Sequence, residues 1–259
     1  MGAGGIEGLA GSGTAPISRP GVDTGLTHGR IPPQDWHRKT GIRCHAKRIP
    51  GSQLAANWGS EHVWAMVAAL KMPSRHMTVA EFLDWDSGDR SGALWQLRDG
   101  EPELMAPASD AHGSIQARLA YLLSAHLDAR GGGCRVVVAP GVIPRVRSAE
   151  NCLVPDLGIT CVPPSGGRML PEPVVLIEIL SPSNEADTRA NVWAYTTIPS
   201  VVEILLVRTA SMEAELLRRG ADGSWPAEPD TVGADGILRL DSIEFAEPLR
   251  SAYRTTALG

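Results

Sequence analysis

The chain has 259 residues, 43% of them hydrophobic, enough for one sizeable domain or a domain with an appendage. A formal charge of −5 excludes a strongly basic nucleic-acid binder, and the balance is uneven. Residues 1–71 carry eight Lys/Arg against four Asp/Glu, whereas residues 72–259 carry sixteen Arg, no Lys and twenty-five Asp/Glu. Nucleic-acid affinity in the second part would therefore come from a local groove or a metal, not from the global field.

Gly, Pro, Ser and Thr dominate the start, MGAGGIEGLAGSGTAPISRPGVDTG, with no hydrophobic period. This predicts a flexible, mostly disordered leader over residues 1–76. Inside it, EHVWAMVAALKM (61–72) would place Val63, Met66 and Leu70 on one side of a short helix. The basic run HRKTGIRCHAKR (37–48) suits either phosphate contact or a solvated tail. Translation from Met72 or Met77 would omit the leader. There is no secretory signal and no run long enough to span a membrane, so the expected location is cytoplasmic, without membrane contact. The four cysteines, Cys44, Cys134, Cys152 and Cys161, lack CxxC spacing. They are expected as free thiols in a reducing compartment, with Cys161 in a core.

From Met77 the signals become regular. Thr78 and Glu81 form a capping box that opens a short helix, TVAEFLDW. LWQLR, Asp99-Gly100 and EPELMA predict a β-hairpin with a tight turn. Ser109 can cap a long helix, DAHGSIQARLAYLLSAHLDAR, in which Ile115, Leu119, Leu122 and Leu123 recur at helical spacing and Gly131 follows the end. CRVVV (134–138) and GVIPRV (141–146) read as strands, with Pro140 and Pro144 limiting how central they are. Two apolar runs follow, LGITCV (157–162) and VVLIEIL (174–180). Ser183 can cap a helix over about 184–196, in which Trp193 is expected to pack. Val201–Val207 and 212–219 read as further strands, Asp222-Gly223 as a turn, and ILRLDSIEF as a final strand. The order predicts a mixed α/β sheet with helices on its faces.

Each of the two apolar runs carries one acid. Asp156 follows Pro155 at the head of the first, and Glu178 sits inside the second. A carboxylate in a strand buried on both faces is costly unless it is paired or holds a metal. Two acids on successive strands suit a hard cation, Mg²⁺ or Mn²⁺, which often takes one or two carboxylates and completes its shell with water and substrate oxygens. The competing view makes Asp156 a turn cap and pairs Glu178 with an arginine. A serine hydrolase is disfavoured, since no GxSxG elbow is present.

The stretch from Met77 to about Tyr253 resembles the Uma family of putative restriction endonucleases, within the PD-(D/E)XK nuclease superfamily. The resemblance rests on TVAEFLDW, LRDGEPELMAPAS followed by His112, VPDLGIT, IEILSPS, and a later Asp, Tyr and IPSVVEILLV series. It implies a restriction-endonuclease-like domain over 77–253: a mixed sheet flanked by helices that binds Mg²⁺ or Mn²⁺ through Asp156 and Glu178 and cuts DNA phosphodiesters with a metal-activated water.

The departures matter as much. The superfamily places a Lys two residues after the second acid, where Leu180 stands here. The family moves that Lys into the next helix, four residues before a Tyr. Tyr195 matches, but Asn191 stands at the Lys position, and it brings no charge. Arg189 is close enough in sequence to substitute electrostatically, although its high pKa makes it a poor base. The family Glu ahead of LxDGE is Gln96. Glu101 matches the DGE and would be a third metal ligand or a solvated acid. His112, near a helix start, would contact phosphate, orient a water, or hydrogen-bond as a partly buried side chain. The resemblance and the retained acid pair imply a divalent-metal-dependent endonuclease, with a homodimer expected as in two-strand cutters. The alternative is a catalytically weakened nucleic-acid-binding or interaction module that keeps the fold.

Overall fold

A computed structural model describes residues 76–259. The leader, the helix expected at 61–72, the basic run at 37–48 and Cys44 lie outside the described residues. Val79–Asp84 forms α1, closed by the expected reciprocal box in which Thr78 and Glu81 cap each other. Trp95–Arg98 (β1) and Glu101–Leu104 (β2) pair as an antiparallel hairpin. Asp99 and Gly100 both have positive φ, 50° and 80°, which a two-residue turn between twisted strands requires.

Helix α2, Asp110–Arg130, starts as expected, with Ser109 Oγ accepting the His112 N–H, and ends on left-handed Gly131. Its buried stripe of Ile115, Leu119, Leu123 and Leu127 packs on one sheet face. Each such side chain stabilises the fold by about 1.5–3 kcal/mol.

The sheet has six strands in the order β3-β4-β5-β6-β7-β8: Arg135–Val138, Leu157–Thr160, Pro173–Leu180, Glu203–Arg208, Ala214–Arg218 and Asp230–Val232. All neighbours are antiparallel except β5 and β6. That parallel pair needs a crossover, supplied by α3, Glu185–Tyr195. Strand β5 is central and buried, so both of its faces are apolar. Val175, Ile177 and Ile179 face α2, while Leu176 and Leu180 join Val192 and Tyr195 of α3. By alternation Glu178 belongs to the α3 face.

A separate hairpin, β9 (Ile237–Leu240) and β10 (Phe245–Pro248), and the short helix α4, Arg250–Tyr253, complete the chain. Buried Glu203 fixes the link between them, accepting the Asp241 and Ser242 N–H groups at 3.0 Å each.

Several expectations need correction. GVIPRV makes only isolated bridges, Gly141 to Met169 and Val142 to Leu153, since Pro144 can donate nothing to a ladder. Asn184, not Ser183, precedes α3, and its side chain accepts the Ser181 N–H at 2.9 Å instead of capping. Trp193 is 64% exposed because α3 buries Asn191, Val192, Ala194 and Tyr195 on the other side. Cys161 is exposed and bonded to Cys134, so these two are not free thiols; buried Cys152 is free. The register pairing Arg135 with Thr160 brings the two cysteines opposite each other.

Candidate active site

The antiparallel register of β4 and β5 sets Leu157 opposite Ile177. One step beyond the ladder, the same register sets Asp156 opposite Glu178, and the two carboxyls interact. Cross-strand Cβ atoms at such positions lie about 4.5–5.5 Å apart. The acids therefore converge on a shared locus.

Both carboxylate oxygens of Asp156 are held. Oδ1 lies 2.8 Å from His112 Nε2, and Oδ2 accepts the Ile179 N–H at 2.7 Å. Its main-chain oxygen accepts from Gln116 Nε2 and Ala139 N, both at 2.9 Å. Ala139 makes that contact from a left-handed backbone, φ 47°, a strain of about 1–3 kcal/mol for a residue with a Cβ. His112 and Gln116 are one turn apart in α2. The helix thus grips the side chain and backbone of Asp156 together.

Glu178 is only 6% exposed, and Tyr195 Oη donates to its Oε1 at 2.7 Å. Burial, and then the neighbouring Asp156 charge, push the Glu178 carboxyl well above the usual carboxylate range. The Tyr195 phenol is raised well above its ordinary value, by burial first and the Glu178 charge second. Among the described residues neither acid pairs with an arginine. Two facing carboxylates disfavour joint ionisation unless a cation stands between them.

The donor set fits a hard divalent cation: oxygen ligands from two acids, one fixed by a histidine in the manner of outer-shell support. Among the described residues no three His, Cys, Asp or Glu side chains gather into a metal cage. Glu101, expected as a third ligand, stands apart at the start of β2, exposed, with its carboxylate 4.0 Å from His76 Nε2.

Arg189 is also placed elsewhere than the substitute role required. It donates four hydrogen bonds to Glu185 and Glu215, on the side of α3 that faces β7. Asn191 is buried one turn before Tyr195 on the helix side that faces the sheet. Sequence reasoning missed Gln116 and Arg98. The first lies four positions after His112, so the two polar side chains share one side of the helix start, a signal that could have been used. The second shares a strand face with Gln96, which was noticed only as a departure.

Comparison with known proteins places these features. Residues 79–245 match the family model Uma2, described as "Putative restriction endonuclease". An uncharacterized protein, slr1290, from Synechocystis sp. (strain ATCC 27184 / PCC 6803 / Kazusa) is 30% identical over 188 residues, covering 71% of this chain and 95% of that protein. A crystal structure described as a putative nuclease belonging to DUF820, from Anabaena variabilis ATCC 29413, superposes with a TM-score of 0.54 at 15% identity. It covers 69% of this chain and 98% of its own. At that identity the likeness is one of fold.

Proposed function

The chain belongs to the Uma2 family of putative restriction endonucleases, and from that premise we propose that it is a divalent-metal-dependent endonuclease acting on DNA. The observation that carries the proposal is the opposition of Asp156 and Glu178 across β4 and β5, at a site that burial and mutual charge make costly for two anions. Asp156 and Glu178 would hold Mg²⁺ or Mn²⁺, which supplies Lewis-acid polarisation of the scissile phosphate and a nucleophile at neutral pH.

The protein's own part is positioning. His112 and the Ile179 N–H fix the two oxygens of Asp156. The Tyr195 hydroxyl fixes Glu178 from α3. Asn191 can orient a water or a phosphate oxygen through its amide, but it adds no positive charge. The proposal extends to a nuclease domain over 77–253 behind a leader at 1–76, a symmetric dimer on two-stranded DNA, and a cytoplasmic location. Among the described residues no helix is long and apolar enough to cross a membrane.

Asn191 at the family Lys position, with no Lys after Lys71, supports a second proposal: a nucleic-acid-binding module with weakened chemistry. Plasmid nicking with Mg²⁺ or Mn²⁺ separates the two. If wild type cuts and Asp156→Ala does not, the enzyme proposal holds. If wild type is inert and Asn191→Lys cuts, the module proposal holds.

A further inference from the structure

Resting on the nuclease proposal, we propose that Arg98 grips a DNA phosphate flanking the scissile one, supplying from the β1–β2 hairpin the positive charge that α3 lacks at Asn191. Arg98 lies between two acids, with Nε 3.2 Å from Glu103 Oε2 and Nη1 3.8 Å from Asp187 Oδ1. Neither contact is a hydrogen bond, and Arg98 donates none among the described residues. Its Nε is buried and faces Glu103 as an ion pair without a well-aligned hydrogen bond.

The contrast is with the arginines that hold the fold. Arg189 donates four hydrogen bonds. Arg208, Arg218 and Arg219 donate three each. Those four are committed to holding the fold. Arg98 is held by two ion pairs alone, and its fork matches phosphate geometry bidentately.

Its position is the second argument. Asp187, which it approaches, lies on α3 four residues before Asn191 and eight before Tyr195, whose hydroxyl holds Glu178. Eight residues at about 1.5 Å each put Asp187 about 12 Å from Tyr195 along α3, a span of about three to four 3.4 Å steps of a nucleotide strand. Arg98 is thus set for a phosphate a few nucleotides from the reacting one.

Gln96, two residues earlier on the same strand face, is buried, and its Oε1 has no partner. The polar face that Gln96 shares with Arg98 thus keeps a buried acceptor without a donor. The Glu103 and Asp187 side chains are 42% and 79% exposed, so both acids stay hydrated when a phosphate takes the guanidinium.

The test is binding of a short DNA duplex to the full chain with Ca²⁺ in place of Mg²⁺, followed by anisotropy between 50 and 200 mM salt. Each phosphate contact contributes about 0.9 to the slope of log K against log salt. Arg98→Ala and Arg98→Gln are expected to lower that slope by about one and to weaken binding about tenfold at low salt. Arg98→Lys keeps the slope, Arg189→Ala leaves it unchanged, and an unaltered thermal melt for Arg98→Gln rules out unfolding. If wild type nicks plasmid in an Asp156-dependent way but Arg98→Ala and Arg98→Gln keep its slope and affinity, the Arg98 assignment is overturned and the nuclease proposal stands. If wild type neither binds DNA nor nicks it, both fall.

Discussion

The Tyr195 hydroxyl donates to Glu178 Oε1 across 2.7 Å from the last residue of α3, and both residues are buried. The bond gives Glu178 a donor where water cannot reach and ties the crossover helix to the central strand. Tyr195→Phe removes that donor and leaves a buried carboxyl oxygen unmatched. The expected loss is about 1–3 kcal/mol, read as a lower urea midpoint with an unchanged m-value.

Glu178→Gln should have the opposite effect on stability. Burial and the facing Asp156 both disfavour the charged form of Glu178, and the amide removes that conflict while still accepting from Tyr195. Without added metal, a gain near 1 kcal/mol would raise the melting temperature by about 2–4 °C for a domain of this size. The same variant should lose Mn²⁺ binding by calorimetry. A melting temperature below wild type would contradict the account of two opposed acids.

His112 acts on Asp156 rather than on substrate directly in this structure. His112→Ala frees Asp156 Oδ1, and comparable losses of outer-shell support cost about 10–100-fold in metal affinity or activity. Calorimetry with Mn²⁺ should show that drop while the fold persists. His112→Asn, which keeps a donor on a short side chain, should fall between the two.

The cross-strand disulfide joins β3 and β4 at the end of β4 remote from Asp156. Opening it should lower stability by about 2–4 kcal/mol and leave metal binding intact, since four β4 residues at about 3.3 Å each separate the cysteines from the acid. Thermal melts and Mn²⁺ calorimetry of Cys134→Ser with and without a reductant check this. The variant should lose its response to the reductant. A reducing cytoplasm would hold the wild-type pair open and the protein at the lower stability.

The acids and the helices were legible because each signal is local. A charge inside VVLIEIL conflicts with its neighbours, and Ser109, Thr78 and Asp99-Gly100 announce their caps and turn within four residues. What escaped depends on register or tertiary packing. The Cys134–Cys161 bond requires knowing that Arg135 faces Thr160. That Arg98 is held by ion pairs alone is visible only beside the arginines that donate hydrogen bonds. The partner of Arg189, Glu215, stands 26 residues away in sequence. Trp193 looked like a packing residue, but one position in a helix decides which side faces the sheet.

Glu215 gives the pH dependence a sign. The Arg189 hydrogen bonds, opposed by burial and reinforced by Arg208, hold its carboxyl below the usual range. A depressed folded pKa means that the stabilisation is fully present above the unfolded value, near 4.5, and is lost as pH falls through the lower folded value. Wild type should therefore lose melting temperature below about pH 4.5 more steeply than Glu215→Gln, which has no such proton to take up. At pH 7, Arg189→Met should cost about 1.5–3 kcal/mol, less than a fully stranded buried charge, because Arg208 still reaches Glu215 Oε1 at 2.6 Å. Melts of the three proteins between pH 3 and 7 read both effects, and parallel curves for wild type and Glu215→Gln would remove Glu215 from the acid response.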